Sequence, residues 1–530
     1  MEGLSGMTTA NGLVDAGEAW TLPGVTPEGN MQGRDYQIEC CERIIDAIAA
    51  GNKAILCWLF TGAGKTVIFG LLARMLFNSK ILIIAPQREL VWQAADTIDR
   101  VTGEQAEIEM ADIWAQSYGN VTVASKQTLS RGRHKRFLGH RVIIVDEAHG
   151  QISPGMQAML REFQEHGGHV IGFTATPFRH DGKRLMDFYD VLAYEMPADK
   201  GIDLGWCTPV KGKIVRCQYL DIKDVRVTGG DFRSTDLDLI LGASRPLHQM
   251  CLTVQKERRG PAIAFLPGVR SAKSLSDMAR NVYGINADFV CGDQYLQSED
   301  DRNRILNKFR AGKIDLLCNC QVATTGFDAP ITQTIFMFRP TRSRTLAMQI
   351  WGRAMRPLPG IVDGIDTADE RKAAIAGSEK SSCYVIDITD SLADHSIVTA
   401  VDMFAKDDTP ADVIRAARKR AEEGDPQDTG DLLAQAADDV RKAKLLEEGL
   451  ALLNGTAKGQ LHGQDVCLGS QKKCISQYKV PLRGRYAGKV MGDLDDGFIA
   501  WALRTPKIKG WQRGIFLKEQ KQRSAARDAG

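Results

Sequence analysis

Six consecutive residues, Thr61-Gly62-Ala63-Gly64-Lys65-Thr66, combine small side chains with one ammonium group and two hydroxyls. They lie between an apolar segment that predicts a strand, Ile55–Phe60, and one that predicts a helix, Val67–Met75. In such a setting the glycines let backbone N–H groups turn toward an anion, and the helix N-terminus adds positive partial charge. Lys65 would reach the β- and γ-phosphates of ATP, and Thr66 would ligate Mg²⁺.

Two carboxylates, Asp146 and Glu147, directly follow the apolar segment Val142–Val145. A carboxylate at the C-terminal end of a parallel strand faces the cleft in which ligands bind. We expect Asp146 to hold Mg²⁺ through water and Glu147 to polarise the attacking water. His149 is interpreted as an organiser of this loop or a relay, and not as a proton carrier. The hydroxyls of Thr174-Ala175-Thr176-Pro177, after another apolar segment, could bond across to the same loop.

A late segment, Gln349-Ile350-Trp351-Gly352-Arg353-Ala354-Met355-Arg356, carries two arginines three positions apart. Guanidinium groups are always charged and geometrically rigid, which suits them to stabilise charge on a γ-phosphate. We expect Arg353 and Arg356 to act in this way when two lobes close on the nucleotide. The order of phosphate loop, acidic pair and arginine segment indicates an ATPase driven by nucleic acid.

Short apolar strands alternate with amphipathic helices in two stretches of the chain. The predicted strands are Ile81–Ala85, Val121–Ala124, Val142–Val145 and Val170–Phe173, then Ala262–Leu266, Asp315–Leu317, Thr334–Phe338 and Cys383–Ile386. Such alternation predicts parallel sheets covered by helices on both faces, so the fold class is α/β with two lobes in tandem. The less regular stretch Gly201–Gly242 is predicted to begin at the crossing between the lobes. Residues 405–453 predict a helical connector.

A chain of 530 residues is too long for one compact core, and two to four domains are expected. No apolar run reaches the ~18 residues needed to span a membrane. The first thirty residues are rich in Gly and Thr without an apolar core, so we expect a disordered leader and a soluble, cytoplasmic protein. Cys467 and Cys474, with His462 nearby, lack the paired spacing typical of zinc sites, and the other cysteines are expected to be buried thiols.

The C-terminal region is unusually basic for a chain whose formal net charge is only +2. Residues 470–530 contain fourteen Lys and Arg against five Asp and Glu, a local excess of nine positive charges. These positive charges either belong to a solvated surface or bind the phosphate backbone of a nucleic acid. The motifs typical of a nucleic-acid motor favour the second interpretation.

Together these motifs resemble superfamily 2 helicases of the DEAH-box type, over roughly residues 31–390. The branch concerned contains restriction-enzyme motor subunits, excision-repair helicases and phage recombination helicases. Five further segments of the chain resemble motifs of this family. They are Arg34 with Tyr36 and Gln37, Pro86-Gln87-Arg88-Glu89-Leu90, Ser125-Lys126-Gln127-Thr128, Phe265-Leu266-Pro267 and Ala323-Thr324-Thr325-Gly326-Phe327-Asp328-Ala329-Pro330. It implies two RecA-like lobes and the cofactors ATP and Mg²⁺.

The resemblance also implies roles for individual residues. Catalysis would depend on Lys65, Asp146, Glu147, Arg353 and Arg356. The adenine would be bound by Arg34, Tyr36 and Gln37, and the phosphates by Thr61 through Thr66. Gly326 and Asp328 would contact the nucleotide from the second lobe. The metal would be held by Thr66 and Asp146. The nucleic-acid strand would contact Arg88, Gln127, Thr128, Thr324 and Thr325.

The expected organisation is a leader at residues 1–30, lobe 1 at 31–205, lobe 2 at 206–395, a helical connector at 396–455 and a basic module at 456–530. Within that module, the segment from Gly484 to Leu503 resembles a small uncharacterised domain of bacterial and phage nucleic-acid enzymes. Tyr486 and Trp501 in it are either core residues or stacking platforms.

The favoured function is an ATP-dependent helicase or translocase that acts, as a monomer, on DNA and not on a membrane. An RNA helicase and the motor subunit of a restriction-type complex are the alternatives, although no nuclease-like constellation is present. A non-enzymatic clamp is a further alternative, and Lys65, Glu147 and Arg356 argue against it.

Overall fold

Seven short segments between residues 54 and 196 form one parallel sheet in the computed structural model. They are β1 (Ala54–Leu59), β2 (Ile81–Ala85), β3 (Glu107–Glu109), β4 (Val121–Ser125), β5 (Val142–Val145), β6 (His169–Thr174) and β7 (Val191–Met196). The strand order is β3-β4-β2-β5-β6-β1-β7. Because β1, β6 and β5 are neighbours, the loops that follow these three strands open at the same edge of the sheet.

Helices cover this first sheet. They are α1 (Asp35–Ala49), α2 (Lys65–Met75), α3 (Arg88–Thr102), α4 (Lys126–Leu129), α5 (Pro154–Glu165) and α6 (Ala198–Asp203). Their buried residues recur at helical spacing, as on α3, where Val91, Ala94, Ala95, Ile98 and Val101 form the inner face. Both faces of the sheet are thereby buried, which explains why β2 and β5 are wholly apolar.

A second sheet of seven strands follows. Its region contains β8 (Val210–Cys217), β9 (Val227–Thr228), β10 (Asp231–Phe232), β11 (Ala262–Phe265), β12 (Ala287–Cys291), β13 (Leu316–Cys320), β14 (Thr334–Met337), β15 (Cys383–Asp390) and β16 (Gln427–Asp428). The order is β12-β13-β11-β14-β15-β8-β16, with β9 and β10 forming a separate hairpin. All neighbours are parallel except β16, which runs antiparallel to β8. The predicted α/β class with two parallel sheets in tandem is confirmed.

The helices of this second region are listed in chain order: α7 (Ser234–Leu241), α8 (Ser244–Glu257), α9 (Val269–Asn281), α10 (Glu299–Arg310), α11 (Arg344–Trp351), α12 (Ala368–Ala376), α13 (Ala400–Phe404), α14 (Ala411–Ala421) and α15 (Thr429–Leu453). A short hairpin, β17 (Gly459–Leu461) with β18 (Gln464–Val466), comes last. The chain divides into two compact units, Met1–Thr409 with Ala417–Leu432, and Pro410–Ala416 with Leu433–Gly530. Both seven-stranded sheets belong to the first unit.

The structure describes residues 33–453 except 117–118, 151–152, 177–184, 294, 321, 323–326, 328, 391–396 and 407, together with 459–461, 464–466, 499, 517 and 520. The expected leader, Cys467, Cys474 and most of the basic C-terminal module lie outside these residues. The ten described cysteines are buried and unpaired, as expected. Within the described part, no cluster of side chains could hold a metal through three or more His, Cys, Asp or Glu. No described helix has the length and apolar character needed to cross a bilayer.

Candidate active site

The loop after β1 turns sharply before α2 begins at Lys65. Gly62 and Gly64 have φ of 102° and 71°, in the left-handed region that favours glycine. The Tyr36 hydroxyl and the Gln37 amide donate to the Ala63 carbonyl at 2.8 and 2.9 Å. Two of the predicted adenine residues therefore lie buried against the backbone of the phosphate loop. Burial raises the pKa of Tyr36 to about 12, so its hydroxyl remains a donor.

Lys65 and the acidic pair form a buried charged cluster. The Nζ of Lys65 donates to Oε1 of Glu147 at 2.6 Å and lies 3.9 Å from Oδ1 of Asp146. Burial alone lowers the pKa of Lys65, but the Glu147 and Asp146 charges outweigh it and the pKa is raised. Burial likewise favours neutral Glu147, yet the Lys65 charge holds its pKa below the ordinary value. Burial raises the pKa of Asp146 to about 6.

The hydroxyls of Thr174, which ends β6, and of Thr176 connect the acidic loop to α11 of the second lobe. Nδ1 of His149 lies 3.1 Å from Oγ1 of Thr174, which donates to the Thr176 carbonyl at 2.6 Å. The Thr176 hydroxyl in turn lies 3.1 Å from that of Thr345, at the start of α11. The predicted bond from this segment to the Asp146–His149 loop is thus present. His149 also lies 3.5 Å from Glu147, in the position of an organiser.

Three residues in and just after α11, from the second lobe, reach the site on the first: Gln349 at the acidic loop, and Gly352 and Arg356 at the phosphate loop. The Gln349 side chain lies beside Glu147 and helps to hold the pKa of that carboxyl below its ordinary value. The Arg356 side chain covers Gly62 so closely that a Cβ built there would lie 2.8 Å from its Nε. Gly352 packs on Thr61 with no room for a side chain. The second sheet therefore contributes directly to the site formed on the first.

Arg353 and Arg356 point differently. Nη1 of Arg353 donates to the Phe327 carbonyl within its own lobe. The Arg356 carbonyl accepts from the buried Lys380 ammonium at 2.7 Å. Of the two predicted arginine fingers, Arg356 is the one in contact with the phosphate loop, and Arg353 braces the segment that contains Phe327.

The residues of this site suit a Mg²⁺-nucleotide. A helix N-terminus and Lys65 provide the positive charge that phosphates require. Thr66 and Asp146 offer the oxygen ligands that Mg²⁺ prefers, and few protein ligands are needed because phosphates and waters complete its shell. The Thr61 hydroxyl is buried without a hydrogen-bond partner, a cost that a bound polar group would relieve. The donor set therefore fits ATP with Mg²⁺.

Arg34 contacts the second lobe. Its Nη2 donates to Asp363 at 3.0 Å, and its guanidinium lies 5.1 Å from the Trp206 ring centroid. The Arg371 guanidinium lies 3.9 Å from the same ring, and the Tyr36 ring is 5.2 Å away. Sequence reasoning missed Trp206, Asp363 and Arg371, because no local motif marks them.

The strand-contacting residues predicted in lobe 1 line one cavity. It has a volume of about 280 Å³ and is lined by Arg88, Met110, Ala111, Ser125, Gln127, Thr128 and Arg131. Gln127 donates to the Pro86 carbonyl at 2.8 Å, which joins the two predicted segments at the C-terminal edge of the sheet. Thr324, Thr325, Gly326 and Asp328 lie outside the described residues.

Family models match two parts of the chain. Residues 30–179 match the type III restriction enzyme res subunit, and residues 244–357 match the helicase conserved C-terminal domain. These segments contain the phosphate loop with the acidic pair and the arginine segment, respectively. Both segments of this chain are therefore similar to domains of superfamily 2 helicases.

Individual relatives agree with this assignment. The chain is 32% identical to the protein named as ATP-dependent helicase IRC3 of Saccharomyces cerevisiae, over 61% of this chain and 49% of that protein. It is 27% identical to the mitochondrial irc3 of Schizosaccharomyces pombe, over 68% and 57%. This chain therefore spans about half the length of the curated relatives it matches. The restriction-modification enzyme LlaBIII bound to DNA shares the fold, with a TM-score of 0.50 and 15% identity over 69% of this chain and 28% of LlaBIII.

Proposed function

We propose that this chain hydrolyses ATP when it binds nucleic acid, preferably DNA, and uses the energy to move along or remodel the strand. The observation that carries the proposal is the meeting of both lobes at the phosphate loop. Lys65 and Glu147 come from the first lobe, whereas Gln349 and Arg356 come from the second. Because no single lobe has the full set, a strand bound across both lobes can control hydrolysis by bringing them together.

Lys65 and the loop N–H groups would bind the phosphates, and Thr66 and Asp146 would hold Mg²⁺. The bound metal supplies positive charge that screens the phosphate oxygens. In the structure Lys65 is held by Glu147 at 2.6 Å, so nucleotide binding must draw the ammonium from the carboxylate to the phosphates. Glu147 is then able to accept a hydrogen bond from the attacking water and polarise it. One exchange thereby binds the phosphate and prepares the base.

Arg356 would stabilise negative charge that develops on the γ-phosphate, with Arg353 as the second finger or as a brace of the same segment. Residues of this kind contribute ~10³–10⁵ to the rate in other phosphoryl-transfer enzymes. Arg34, Tyr36 and Gln37 would bind the adenine, and Gly326 and Asp328 would approach the nucleotide from the second lobe. This contribution depends on lobe closure, which makes turnover sensitive to the nucleic acid.

The nucleic acid would be held mainly through its phosphates. Arg88, Gln127 and Thr128 line a cavity at the C-terminal edge of the first sheet, and Thr324 and Thr325 would extend the path on the second lobe. Contacts of this kind position a strand without reading its sequence. We assign the motor lobes to residues 31–205 and 206–395, followed by the connector 396–455 and the basic module 456–530.

DNA is favoured over RNA by the names of the relatives. The matched first-lobe model is that of a restriction enzyme subunit, and the EcoAI type I restriction endonuclease subunit is 22% identical over 63% of this chain. The RNA alternative is supported by the ATP-dependent RNA helicase SrmB, 23% identical over 56% of this chain. The restriction relatives also favour a second candidate, the motor subunit of a complex in which a partner cleaves DNA.

The test is the ATP hydrolysis rate of the full chain with single-stranded DNA, duplex DNA, forked DNA and RNA, measured side by side. The Lys65→Ala protein is the background control. Stimulation by DNA above RNA supports the proposal, and stimulation by RNA alone overturns the DNA assignment. No stimulation by any nucleic acid contradicts the motor function itself. Displacement of streptavidin from biotinylated single strands, without unwinding of a duplex, would identify a translocase.

A further inference from the structure

Glu109 is a fully buried carboxylate at the end of β3 that organises a basic segment. Arg133 donates to its Oε1, and Nη1 of Arg136 donates to its Oε2 at 2.8 Å. The Ala115 N–H donates to Oε2 at 2.7 Å. A buried carboxylate is tolerated only when its charge is paired and its lone pairs are satisfied. Glu109 therefore fixes two arginines and the loop Met110–Ala115, which we call the Trp114 loop, in one arrangement.

The Trp114 loop begins with a tight turn that is strained. Met110 and Ile113 exchange backbone hydrogen bonds of 3.0 and 2.8 Å, and Ala111 between them has φ of 49°, rare for a residue with a Cβ. Arg133 donates to the Ala111 carbonyl at 2.6 Å and to the Ile113 carbonyl at 3.0 Å. Strain of this kind persists only where surrounding contacts over-determine it, and it occurs frequently at functional sites.

The loop presents Trp114 to solvent. The side chain is 53% exposed although tryptophan is among the most apolar residues. The Arg133 guanidinium lies 3.6 Å from the centroid of its ring and that of Arg136 lies 5.0 Å away. Since Arg133 also bonds Glu109 and two carbonyls, the indole rests on a rigid support. The loop thus holds an aromatic ring in a fixed, partly exposed position.

A cavity suited to a phosphate adjoins the loop. Ala111 lines the 280 Å³ cavity that also contains Arg88 and Arg131, and Arg133 bonds Ala111 while stacking on Trp114. Arg133 therefore joins the ring to a residue of the cavity wall. β3, β4 and β2 are neighbouring parallel strands, so their C-terminal ends bring all of these residues to the ligand-binding edge of the sheet.

We propose that Trp114 stacks on an unpaired base of the bound strand while Arg88 and Arg131 take the adjoining phosphate. The occupant is single-stranded nucleic acid, because an exposed ring beside two guanidinium groups matches the alternation of base and phosphate along a strand. A duplex offers phosphates but keeps its bases stacked within the helix. This inference rests on the proposed function and names the contact that distinguishes a single strand from a duplex.

The experiment compares binding of the full chain to an oligothymidylate and to an abasic oligodeoxynucleotide of equal length, by fluorescence anisotropy. Trp114→Ala should weaken binding to oligothymidylate about tenfold and leave binding to the abasic strand unchanged, since stacking on the ring requires a base. Trp114→Phe should restore most of the loss, whereas Trp114→Leu, which keeps apolar bulk without a ring, should not.

Phe77→Ala is the matched control. Phe77 is an aromatic residue of the same lobe with 59% exposure, but it follows the C-terminal end of α2 at the opposite edge of the sheet, so both affinities should equal those of the unmodified protein. Equal affinities for all Trp114 variants would overturn the inference. So would a loss that is the same on both strands, or recovery by Leu as complete as by Phe. If the unmodified protein bound oligothymidylate and hydrolysed ATP on it, such a result would leave the proposed function intact.

Discussion

Gly352→Ala should hinder the closure of the two lobes and leave the fold of each lobe and its affinity for ATP unchanged. Gly352 ends α11 with φ of −55° and ψ of −17°, ordinary helical values that alanine adopts without strain. In an isolated second lobe the change should even stabilise the helix, by about 1 kcal/mol. In the closed arrangement, however, the new Cβ would lie 2.7 Å from the Thr61 carbonyl oxygen and closer still to the Thr61 side chain.

The size of the effect follows from this overlap. Ordinary van der Waals contact begins near 3.4 Å, so the arginine segment must recede from the phosphate loop by about 1 Å. Overpacking of this order costs about 1–3 kcal/mol, which lowers the closed population about 5- to 150-fold. Arg356 lies on the same segment as Gly352 and moves with it. We therefore expect a fall of the same size in stimulated kcat, with little change in ATP affinity.

The assay is ATP hydrolysis against DNA concentration, with the thermal midpoint measured in parallel. Gly377→Ala is the matched control, because Gly377 ends α12 with φ of −82° and ψ of −6° and its Cβ would meet nothing closer than 3.5 Å. Gly377→Ala should retain the unmodified kcat. If the two variants had the same kcat, the contact between Gly352 and Thr61 would not belong to the productive state, and the reasoning would fail.

Three further predictions concern charged residues. Lys65→Ala should lose ATP binding in an equilibrium binding assay. Glu147→Gln should still bind ATP but hydrolyse it ~10²–10⁴-fold more slowly in a single-turnover assay. Near-normal hydrolysis by the Glu147→Gln protein would show that Glu147 is not the base. Arg356→Ala should lower kcat without changing the thermal midpoint. Arg353→Ala should lower both, because Arg353 donates to the Phe327 carbonyl and so stabilises that segment. A change confined to the KM for ATP would instead assign the two arginines to ground-state binding. Burial raises the pKa of Asp387 from 3.8 to about 7, so the folded chain binds the extra proton and stability declines as pH rises from about 4 to 7. Asp387→Asn should make that decline shallower, leaving the part due to Asp146, and raise the free energy of unfolding at pH 8 by about 1–4 kcal/mol in urea titrations. An unchanged pH dependence would contradict the assignment.

Local patterns in the sequence were sufficient to predict the catalytic motifs of the first lobe. Thr61 through Thr66 and the acidic pair each lie between a strand and a helix whose apolar spacing is evident within a few residues. A parallel sheet then requires the loops that follow neighbouring strands to meet at one edge. That is why Lys65 and Glu147, 82 positions apart, could be predicted to share a site.

Elements without a clean pattern were missed. In β7 (Val191–Met196) only Tyr194 and Met196 are buried, and β12 (Ala287–Cys291) begins with a small residue and an aspartate. Each is stabilised as a strand by its pairing with a neighbour, which local propensity does not encode. The Trp114 loop was missed for a related reason, since its shape depends on Glu109 accepting from arginines 24 and 27 residues away.

The sequence by itself determined the α/β class, the phosphate loop and the identity of the two arginines, because these depend on short-range periodicity and on fixed spacing. Only the tertiary structure decided which arginine lies on the phosphate loop, and that Arg34 meets Asp363, 329 residues later. Two arginines three positions apart on one turn are equivalent in sequence. They differ only in what packs beneath them, and that is set by the way one lobe lies against the other.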